Sequence, residues 1–254
     1  MARAALPGRL AARLAWQSAT LGQYRDETPS ARTLLFDVGG WPGHLAGQHV
    51  DVRLTAEDGY QAVRSYSLAQ PAEGEQIGIT VQRVPDGEVS PYLTDGLSVG
   101  DPIELRGPLG GWFVWRPEET NPVLLVAGGS GIVALMAMVR ARRAAGSRVP
   151  FRLLYSVRTP AELYYADELR VPQPGDDGLD VRYVFTRATP DHFARSPARI
   201  GVADINTNGW PPDVDANCFV CGPTGFVEAV ADILVALGHD PRRVKTERFG
   251  PTGG

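Results

Sequence analysis

Cysteine is scarce in this chain of 254 residues, and long hydrophobic runs are missing altogether. The two cysteines, Cys218 and Cys221, are too few for the disulfide framework of a small secreted protein, so we expect a reducing compartment, the cytoplasm. The longest apolar run covers residues 132–139, far short of the roughly 20 residues that span a bilayer. We therefore expect no membrane span.

The chain also lacks an excess of basic residues. Its 25 lysines and arginines are outnumbered by 29 aspartates and glutamates, which gives a formal net charge of -4. A nucleic-acid-binding protein presents a basic face, so this balance argues against nucleic acid as a partner. With 43% hydrophobic and 21% charged residues, the composition is that of an ordinary globular protein, and the length suits two domains.

Acidic residues are absent from the N-terminus as far as Asp26. The first residues are rich in alanine and arginine, a composition that transit peptides share with loose extensions. Arg3, Arg9 and Arg13 interrupt any apolar core of a secretory signal. We predict a flexible extension over residues 1–13, with a transit peptide as the alternative.

Short strands separated by turn residues are predicted up to about residue 115. The segments 33–37, 49–54, 77–82 and 103–105 are rich in strand-forming residues, and several alternate apolar and polar residues as half-buried antiparallel strands do. Strands at this density, punctuated by glycine and proline, indicate a small barrel. We place an N-terminal β domain at residues 14–115, with a hinge region at 107–117.

Strands alternate with helices in the second half. Strands are predicted at 123–127, 151–156, 181–184, 216–220 and 244–248, and helices from about 132 to 145 and from 225 to 237. Thr159 is predicted to cap one more helix, with Pro160 at the first helical position and Glu162 completing a capping box. This alternation indicates a parallel sheet, so we place an α/β domain at residues 116–254.

A glycine loop joins the first of these strands to its helix. Gly129-x-Gly131-x-x-Ala134 satisfies the dinucleotide-binding fingerprint, in which glycines let the backbone approach a pyrophosphate at a helix N-terminus. A glycine turn can be purely structural, but the strand–loop–helix context favours nucleotide binding.

The next strand ends on Ser156 and Arg158, with no acid to hold a ribose 2′-hydroxyl. A guanidinium suits a 2′-phosphate, so NADP is predicted over NAD. The alternative is that Arg158 faces solvent or pairs with Glu162.

The two cysteines form a C-x-x-C segment at 218–221, which a redox dithiol or half of a zinc site could use. Residues three apart on a strand point to opposite faces, so we predict neither. The four histidines show no ligand spacing, and no metal site is predicted. Cys218 is expected in the core and Cys221 in the site, because ligands bind at the carboxyl ends of parallel strands.

Ser90 is predicted to cap a short helix in the barrel, with Pro91 at its first position. Taken alone, this segment indicates only a well-capped helix. Four motifs that occur in order along the chain favour a phosphate-binding role for it instead. They are R-x-Y-S at Arg64–Ser67, G-x-x-S at Gly87–Ser90, G-G-x-G at Gly128–Gly131 and C-G-P at Cys221–Pro223. Together with the ending Glu247-x-Phe249, they resemble the ferredoxin-NADP(+) reductase family over roughly residues 14–250, and stand-alone bacterial reductases that serve oxygenases most closely. The family commonly carries proline where this chain has Ala134.

The resemblance implies an antiparallel six-stranded FAD-binding barrel followed by a parallel-sheet α/β NAD(P)-binding domain. It implies that Arg64 contacts the flavin nucleotide phosphate, that Tyr66 packs on the isoalloxazine and that Ser67 lies near flavin N5. The helix at Ser90 would hold the pyrophosphate, which favours FAD over FMN. Catalytic roles are expected for Ser67, Cys221 and Glu247. The full set of expected cofactor-binding residues is Arg64, Ser65, Tyr66, Ser67, Val81, Gly87, Val89, Ser90, Phe249, Gly128, Gly129, Ser130, Gly131, Ser156, Arg158, Gly222 and Pro223.

Phe249 ends the last predicted strand, on the ligand side of the sheet. The family resemblance implies that its ring covers the flavin face that Tyr66 leaves open. The alternative is a core phenylalanine beneath the sheet.

The expected activity is hydride transfer from NADPH, or less favourably NADH, to bound FAD, followed by electron transfer to a separate acceptor. No C-x₄-C-x₂-C motif for an iron–sulfur cluster is present, and the length does not accommodate a globin, so the acceptor is expected to be a ferredoxin or an oxygenase component. A basic stretch could steer an acidic partner, although a solvated strand end is the favoured interpretation; it contains Arg242, Arg243, Lys245 and Arg248. The alternatives are a free-flavin or quinone reductase and a non-catalytic subunit with the reductase fold. A monomer is expected.

Overall fold

The computed structural model describes residues 15–170 and 178–250, so the predicted extension over residues 1–13 lies outside the described residues. Six strands form the first half. They are β1 (Gln17–Thr28), β2 (Ala31–Asp37), β3 (His49–Thr55), β4 (Gln61–Ser67), β5 (Gln76–Gln82) and β6 (Pro102–Leu109). All neighbours are antiparallel, in the order β4-β3-β6-β1-β2-β5.

The sheet curls into a barrel around an apolar interior. Its two outer strands meet where Leu68, just past β4, pairs with Ile79 of β5. The interior contains aliphatic side chains from every strand, together with Val89 and Leu93 from the segment after β5. The predicted six-stranded antiparallel barrel is therefore confirmed.

Two of the barrel strands were not predicted. Strand β1 buries only Ala19 and Leu21, and strand β4 buries only Ala62. With so few apolar positions, neither strand shows a long alternation of apolar and polar residues. They are held instead by backbone pairing with their neighbours, which local sequence patterns do not reveal.

The region predicted as a hinge is anchored by buried residues at both of its ends. Gly107 lies within β6. Farther along, Phe113 packs edge-on against Phe219, with ring centroids 5.5 Å apart, and Trp115 packs edge-on against Phe151 at 5.2 Å. The aromatic side chains of this segment anchor it against the second half of the chain, so it does not act as a free linker.

The second half contains five strands and four α-helices in the described residues. They are β7 (Val123–Gly128), α1 (Ile132–Ala144), β8 (Phe151–Val157), α2 (Ala166–Arg170), β9 (Leu179–Phe185), α3 (Val202–Asn208), β10 (Asn217–Pro223), α4 (Thr224–Ala236) and β11 (Val244–Phe249). The strands are parallel, in the order β11-β10-β7-β8-β9. The predicted α/β architecture is confirmed.

Helix α1 lies between the parallel sheet and the barrel. Its first eight residues are all buried, because one side packs on the sheet and the other meets small barrel residues such as Ala46 and Ala69. This explains why the longest apolar run of the sequence belongs to a helix of 13 residues. Across 15–170 and 178–250, every helix is too short or too polar to traverse a bilayer.

The capping box predicted at Thr159 is wrong. The Thr159 side chain makes no capping hydrogen bond, and only a 3-10 turn, Pro160–Glu162, follows it. Helix α2 begins later, at Ala166. The chain extends in between because Tyr165, with a φ of 56°, turns its side chain toward the barrel, where its hydroxyl meets that of Thr80 at 2.5 Å. A tertiary contact overrides the local helix signal.

Candidate functional site

The barrel and the parallel sheet meet at the carboxyl ends of β4 and β11. The Ser67 hydroxyl, at the end of β4, donates to the Glu247 carboxylate at 3.3 Å. The two residues are 180 positions apart in the chain. Two of the three predicted catalytic side chains are therefore brought together across the boundary between the halves.

Glu247 is half-buried at this boundary. Burial raises the pKa of its carboxyl to about 7, and the hydrogen bond from Ser67 opposes this only in part. An ordinary glutamate is fully ionised at neutral pH. Glu247 instead holds a proton about half of the time near pH 7, so it can exchange a proton with a neighbour under physiological conditions.

Cys221 lies beside Glu247, because β10 and β11 pair in parallel with these two residues in register. The thiol is 1% exposed. Burial, helped by the Glu247 charge, raises the pKa of Cys221 well above its ordinary value, so the residue is a neutral thiol. A neutral, buried thiol is a poor nucleophile, which suits a positioning role rather than thiol chemistry.

Cys218 lies on the other side of the sheet. It is fully buried and belongs to the core cluster opposite the one that contains Cys221. Its sulfur lies 3.8 Å from the Ala216 carbonyl oxygen and 3.8 Å from His239 Nδ1. The expected placement of the two cysteines on opposite faces is confirmed. Among the residues that the structure describes, no group of histidine, cysteine and acidic side chains is arranged to bind a metal ion.

The glycine loop forms a tight turn between β7 and α1. Gly129 has a φ of 54°, in the left-handed region that favours glycine. A Cβ atom on Gly131 would lie 2.2 Å from the Cys221 carbonyl oxygen, so no other residue fits there. The first turn of α1 contains no acid. Half-exposed backbone at Gly129 and Ser130, next to the N-terminus of a helix of 13 residues, fits a pyrophosphate.

Glycines also let the ends of β7 and β10 approach each other. Cβ atoms on Gly128 and Gly222 would lie 2.7 Å and 2.8 Å from the ring of Phe226. Phe226, on the first turn of α4, packs over both strand ends. Gly222 is therefore required for packing, while the exposed Pro223 is next to it at the surface.

Two arginines lie at the ends of neighbouring strands. Arg158 is exposed just after β8, where Ser156 is buried. Its side chain forms no hydrogen bond or ion pair in the described part of the chain, so the expected alternative of a pair with Glu162 is not seen. The backbone N–H of Arg187 donates to the Arg158 carbonyl at 2.9 Å, which places a second exposed arginine beside the first. Sequence reasoning missed Arg187 because its position depends on how β8 and β9 align.

Arg64 lies near a cavity of about 630 Å³ on the barrel. One of its guanidinium nitrogens donates to Glu88 at 2.6 Å, and Tyr60 donates to the same carboxylate at 2.7 Å. Tyr60, Glu88 and Tyr92 line the cavity. A cation beside aromatic rings is a donor set that fits a flavin nucleotide, whose phosphate needs positive charge and whose rings need apolar contact.

The R-x-Y-S strand directs its side chains to two faces. Tyr66 packs against the barrel interior, and burial raises the pKa of its hydroxyl. Ser65 points the other way and donates to Asp51 at 2.6 Å. Val81 and Val89 are buried in the barrel core, so neither valine presents its side chain at the surface.

The helix cap predicted at Ser90 is wrong. The Ser90 hydroxyl accepts a hydrogen bond from the backbone N–H of Val84 at 3.0 Å, which closes the loop around Gly87 instead. The helical segment that follows is short and includes a π-helical turn, Tyr92–Gly96. A serine hydroxyl can accept a hydrogen bond from a backbone N–H of a loop or of a helix, and here the donor is in the loop.

Phe249 is the last residue of β11, and it is 39% exposed. It pairs in register with Pro223 at the ligand end of the sheet. The alternative of a core phenylalanine beneath the sheet is therefore wrong. Because side chains alternate along a strand, Phe249 lies on the same face of β11 as Glu247.

Two family models match the two halves. A model of the oxidoreductase FAD-binding domain matches residues 22–114, and one of the oxidoreductase NAD-binding domain matches residues 125–232. The chain is 29% identical over 207 residues to the ferredoxin–NAD(P)(+) reductase component of naphthalene 1,2-dioxygenase/salicylate 5-hydroxylase systems from a Ralstonia species, with 82% of this chain and 61% of that protein covered. It is 30% identical to the glycine betaine monooxygenase reductase subunit of Chromohalobacter salexigens, with 81% and 56% covered.

A solved structure has the same fold. The FAD/NAD-binding domain of nitric oxide dioxygenase from Vibrio cholerae superposes with a TM-score of 0.82 at 24% identity, covering 92% of this chain and 99% of that domain. At that level of identity the likeness concerns the fold. The chain spans less than two thirds of the length of the two reductase components it matches.

Proposed function

This chain belongs to the ferredoxin-NADP(+) reductase family of oxidoreductases, in which an FAD-binding barrel precedes an NAD-binding α/β domain, and we propose that it takes a hydride from NADPH onto FAD and passes electrons to a separate acceptor. The observation that carries the proposal is the contact between Ser67 and Glu247. It places a hydroxyl from the flavin-binding half against a carboxyl from the nucleotide-binding half, at the carboxyl ends of the strands where ligands bind.

The flavin-binding residues are proposed on the barrel. Bound FAD would supply the hydride acceptor and the electron store. Arg64 would hold a phosphate, Tyr66 would lie along the isoalloxazine, and backbone around Gly87 and Val89 would meet the pyrophosphate. Ser90 would act through its backbone, since its hydroxyl is engaged by Val84.

Proton handling is proposed for Ser67 and Glu247. A carboxyl whose pKa is about 7 can give up or accept a proton through the Ser67 hydroxyl near neutral pH. Cys221, buried behind Glu247, would orient the nicotinamide side of the site as a neutral thiol. Phe249 would cover the flavin until the nicotinamide arrives.

NADP is proposed as the coenzyme. Gly128, Gly129, Ser130 and Gly131 would hold the pyrophosphate, with Gly222 and Pro223 beside the nicotinamide half. Ser156 and Arg158 were expected to read the 2′-phosphate, and Arg187 adds a second guanidinium at the same edge. Two exposed arginines on adjacent segments offer two charge-assisted donors to a phosphate dianion.

The acceptor is proposed to be a ferredoxin or an oxygenase component, because the similar reductase components serve oxygenase systems. The basic stretch that could steer such a partner is partly neutralised. Arg242 pairs with Asp240 at 2.8 Å, and Lys245 donates to the Val114 carbonyl at 3.1 Å. A monomer and the cytoplasm remain part of the proposal.

An absorption spectrum before and after NADPH under argon tests the proposal. We expect a yellow protein whose flavin band bleaches with NADPH, and an Arg64→Ala variant that folds but retains little flavin. Bleaching of free flavin by a protein that retains none would favour the free-flavin reductase. Bound flavin that NADPH and NADH leave oxidised would favour a non-catalytic subunit.

A further inference from the structure

The arginine proposed to hold the flavin phosphate already has an anionic partner. The Arg64 guanidinium donates to Glu88 at 2.6 Å. The two side chains remain 38% and 46% exposed, so both can be reached from solvent. An incoming phosphate therefore meets a cation that a carboxylate already occupies.

Glu88 has a second hydrogen-bond partner besides Arg64. Its second carboxylate oxygen accepts the hydroxyl of Tyr60 at 2.7 Å. That hydrogen bond, together with Arg64, lowers the pKa of Glu88. The acid is accordingly ionised at neutral pH, and its two oxygens are engaged by Tyr60 and Arg64.

The position of Glu88 in the chain sets it against a phosphate. It lies inside the G-x-x-S loop, between Gly87 and Ser90. Phosphate oxygens drawn to this loop and to Arg64 come close to the Glu88 carboxylate, and like charges at short range repel. Binding must either move Glu88 away or leave it beside the phosphate.

The pair has little structural value to explain its presence. Exposed ion pairs contribute little to folding stability, and neither side chain belongs to a core cluster. What the pair does alter is the charge that Arg64 offers to a ligand. Its effect is therefore expected in binding rather than in folding.

We propose that Glu88 competes with the flavin phosphate for Arg64 and so lowers the affinity of the protein for phosphate-bearing flavins. The inference rests on the proposed function, in that the flavin nucleotide binds at Arg64. Its consequence is a flavin that exchanges with solution more readily than one held by an unopposed arginine.

The test compares Glu88→Gln with Glu57→Gln in the flavin-free full-length protein, using quenching of flavin fluorescence. Glu57 is exposed and follows Ala56, which lines the same cavity, so its variant removes the same charge nearby and leaves Arg64 engaged with Glu88. We expect Glu88→Gln to tighten FAD and FMN by roughly three- to fivefold, the scale of an exposed ion pair. Glu57→Gln should change them by less than about twofold, a through-space effect that solvent screens.

Riboflavin, which has no phosphate, separates competition for Arg64 from other effects. Its affinity should be the same in the wild type and in Glu88→Gln. Equal effects of the two glutamine variants, or equal tightening of riboflavin, would overturn the inference. If Arg64→Ala loses FAD while Glu88→Gln changes nothing, Glu88 does not compete and the flavin site stands. If Arg64→Ala binds FAD normally, the flavin site itself is misplaced.

Discussion

Glu247 combines a half-buried carboxyl with a position at the contact between the two halves. Its pKa of about 7 results mainly from burial, because removing a carboxylate from water favours the neutral acid. The Ser67 hydroxyl supplies one hydrogen bond, which is too little to restore an ordinary pKa. A single side chain thus makes both the site and the folded state sensitive to pH.

The pH dependence of stability should change when Glu247 is replaced by glutamine. The folded pKa of about 7 exceeds the ordinary value of 4.5, so the folded state binds more protons between these values, and this residue's contribution falls as pH rises through that window. Relative to wild type, Glu247→Gln should gain on the order of 2–3 kcal/mol in unfolding free energy between pH 5 and pH 8. Urea unfolding across that range measures the difference.

A matched control is available for that experiment. Arg53 lowers the pKa of Glu104 through a hydrogen bond, so Glu104→Gln should shift stability by a constant amount above pH 5. If the difference in unfolding free energy between Glu247→Gln and wild type is also constant between pH 5 and pH 8, Glu247 is ionised throughout this range. It is then no proton donor near neutrality.

Arg187 should discriminate between the coenzymes together with Arg158. Replacing Arg187 by alanine removes a cation from the proposed 2′-phosphate site, so NADPH affinity should fall by roughly 1.5–3 kcal/mol, as for a hydrogen bond to a charged group. NADH, which lacks that phosphate, should be nearly unaffected. Dissociation constants for both coenzymes decide this. Arg182→Ala, on β9 and paired with Asp180, is the control, and equal losses for NADPH and NADH would remove Arg187 from the site.

Strand β11 connects the nucleotide-binding half to the barrel along one face. Lys245 reaches the Val114 carbonyl, Glu247 reaches Ser67, and Phe249 continues the same face at the exposed end. These residues are two apart, the side-chain period of a strand. Lys245 and Glu247 are held by these contacts with the first half of the chain, while Phe249 remains exposed to solvent.

Removing residues 249–254 should therefore leave the protein folded. If the Phe249 ring covers the flavin, its loss should shift the flavin absorption band and tighten nicotinamide binding, because a competitor for the ring face is gone. Aromatic pairs gain about 0.5–1.5 kcal/mol beyond burial, so binding should tighten by roughly two- to tenfold. Phe249→Ala in the full chain should shift the flavin band and tighten nicotinamide binding in the same way as the truncation. A lower melting temperature with an unchanged flavin spectrum would show that the ring stabilises the fold and does not cover the flavin.

The two halves are fastened together by a closed ring of hydrogen bonds. The Tyr165 hydroxyl meets Thr80 at 2.5 Å, Thr80 meets Thr33 at 2.7 Å, and Thr33 donates to Glu27 at 2.6 Å. Glu27 accepts the backbone N–H of Tyr165 at 3.2 Å, which completes the ring. Tyr165 is 3% exposed and has a positive φ, a conformation that the surrounding contacts must hold.

Breaking this ring should destabilise the whole molecule. Tyr165→Phe leaves Thr80 with one partner fewer in a buried place, so unfolding free energy should fall by about 1–2 kcal/mol. Thr80→Val should have a similar effect, and the double variant should lose less than the sum, because the two hydroxyls share one interaction. Chemical unfolding of the wild type, the two single variants and the double variant measures these free energies. Tyr24→Phe, at an exposed tyrosine, should have almost no effect, and strict additivity would show that the ring does not act as a unit.

Much of this architecture could be predicted from short stretches of sequence. The apolar strand at 123–127, the glycine loop after it and the final strand at 244–248 follow from patterns a few residues long, which depend only on local sterics and periodicity. The same reasoning failed at Thr159 and Ser90. Both hydroxyls suited a helix cap. After Thr159, however, the Tyr165 hydroxyl hydrogen-bonds to Thr80 of the barrel, and the Ser90 hydroxyl accepts from the backbone N–H of Val84.

Strand and helix periods, glycine turns and the order of the motifs were enough to predict a barrel followed by a nucleotide-binding domain, because these signals act between near neighbours in the chain. The contacts that define the site join residues far apart, such as Ser67 with Glu247, Arg64 with Glu88 and Arg158 with Arg187. These contacts depend on how the strands align and how the two domains pack. The burial that raises the pKa of Glu247 exists only after the domains have packed together. Local sequence contains no record of that alignment, because register is set by pairing across the sheet.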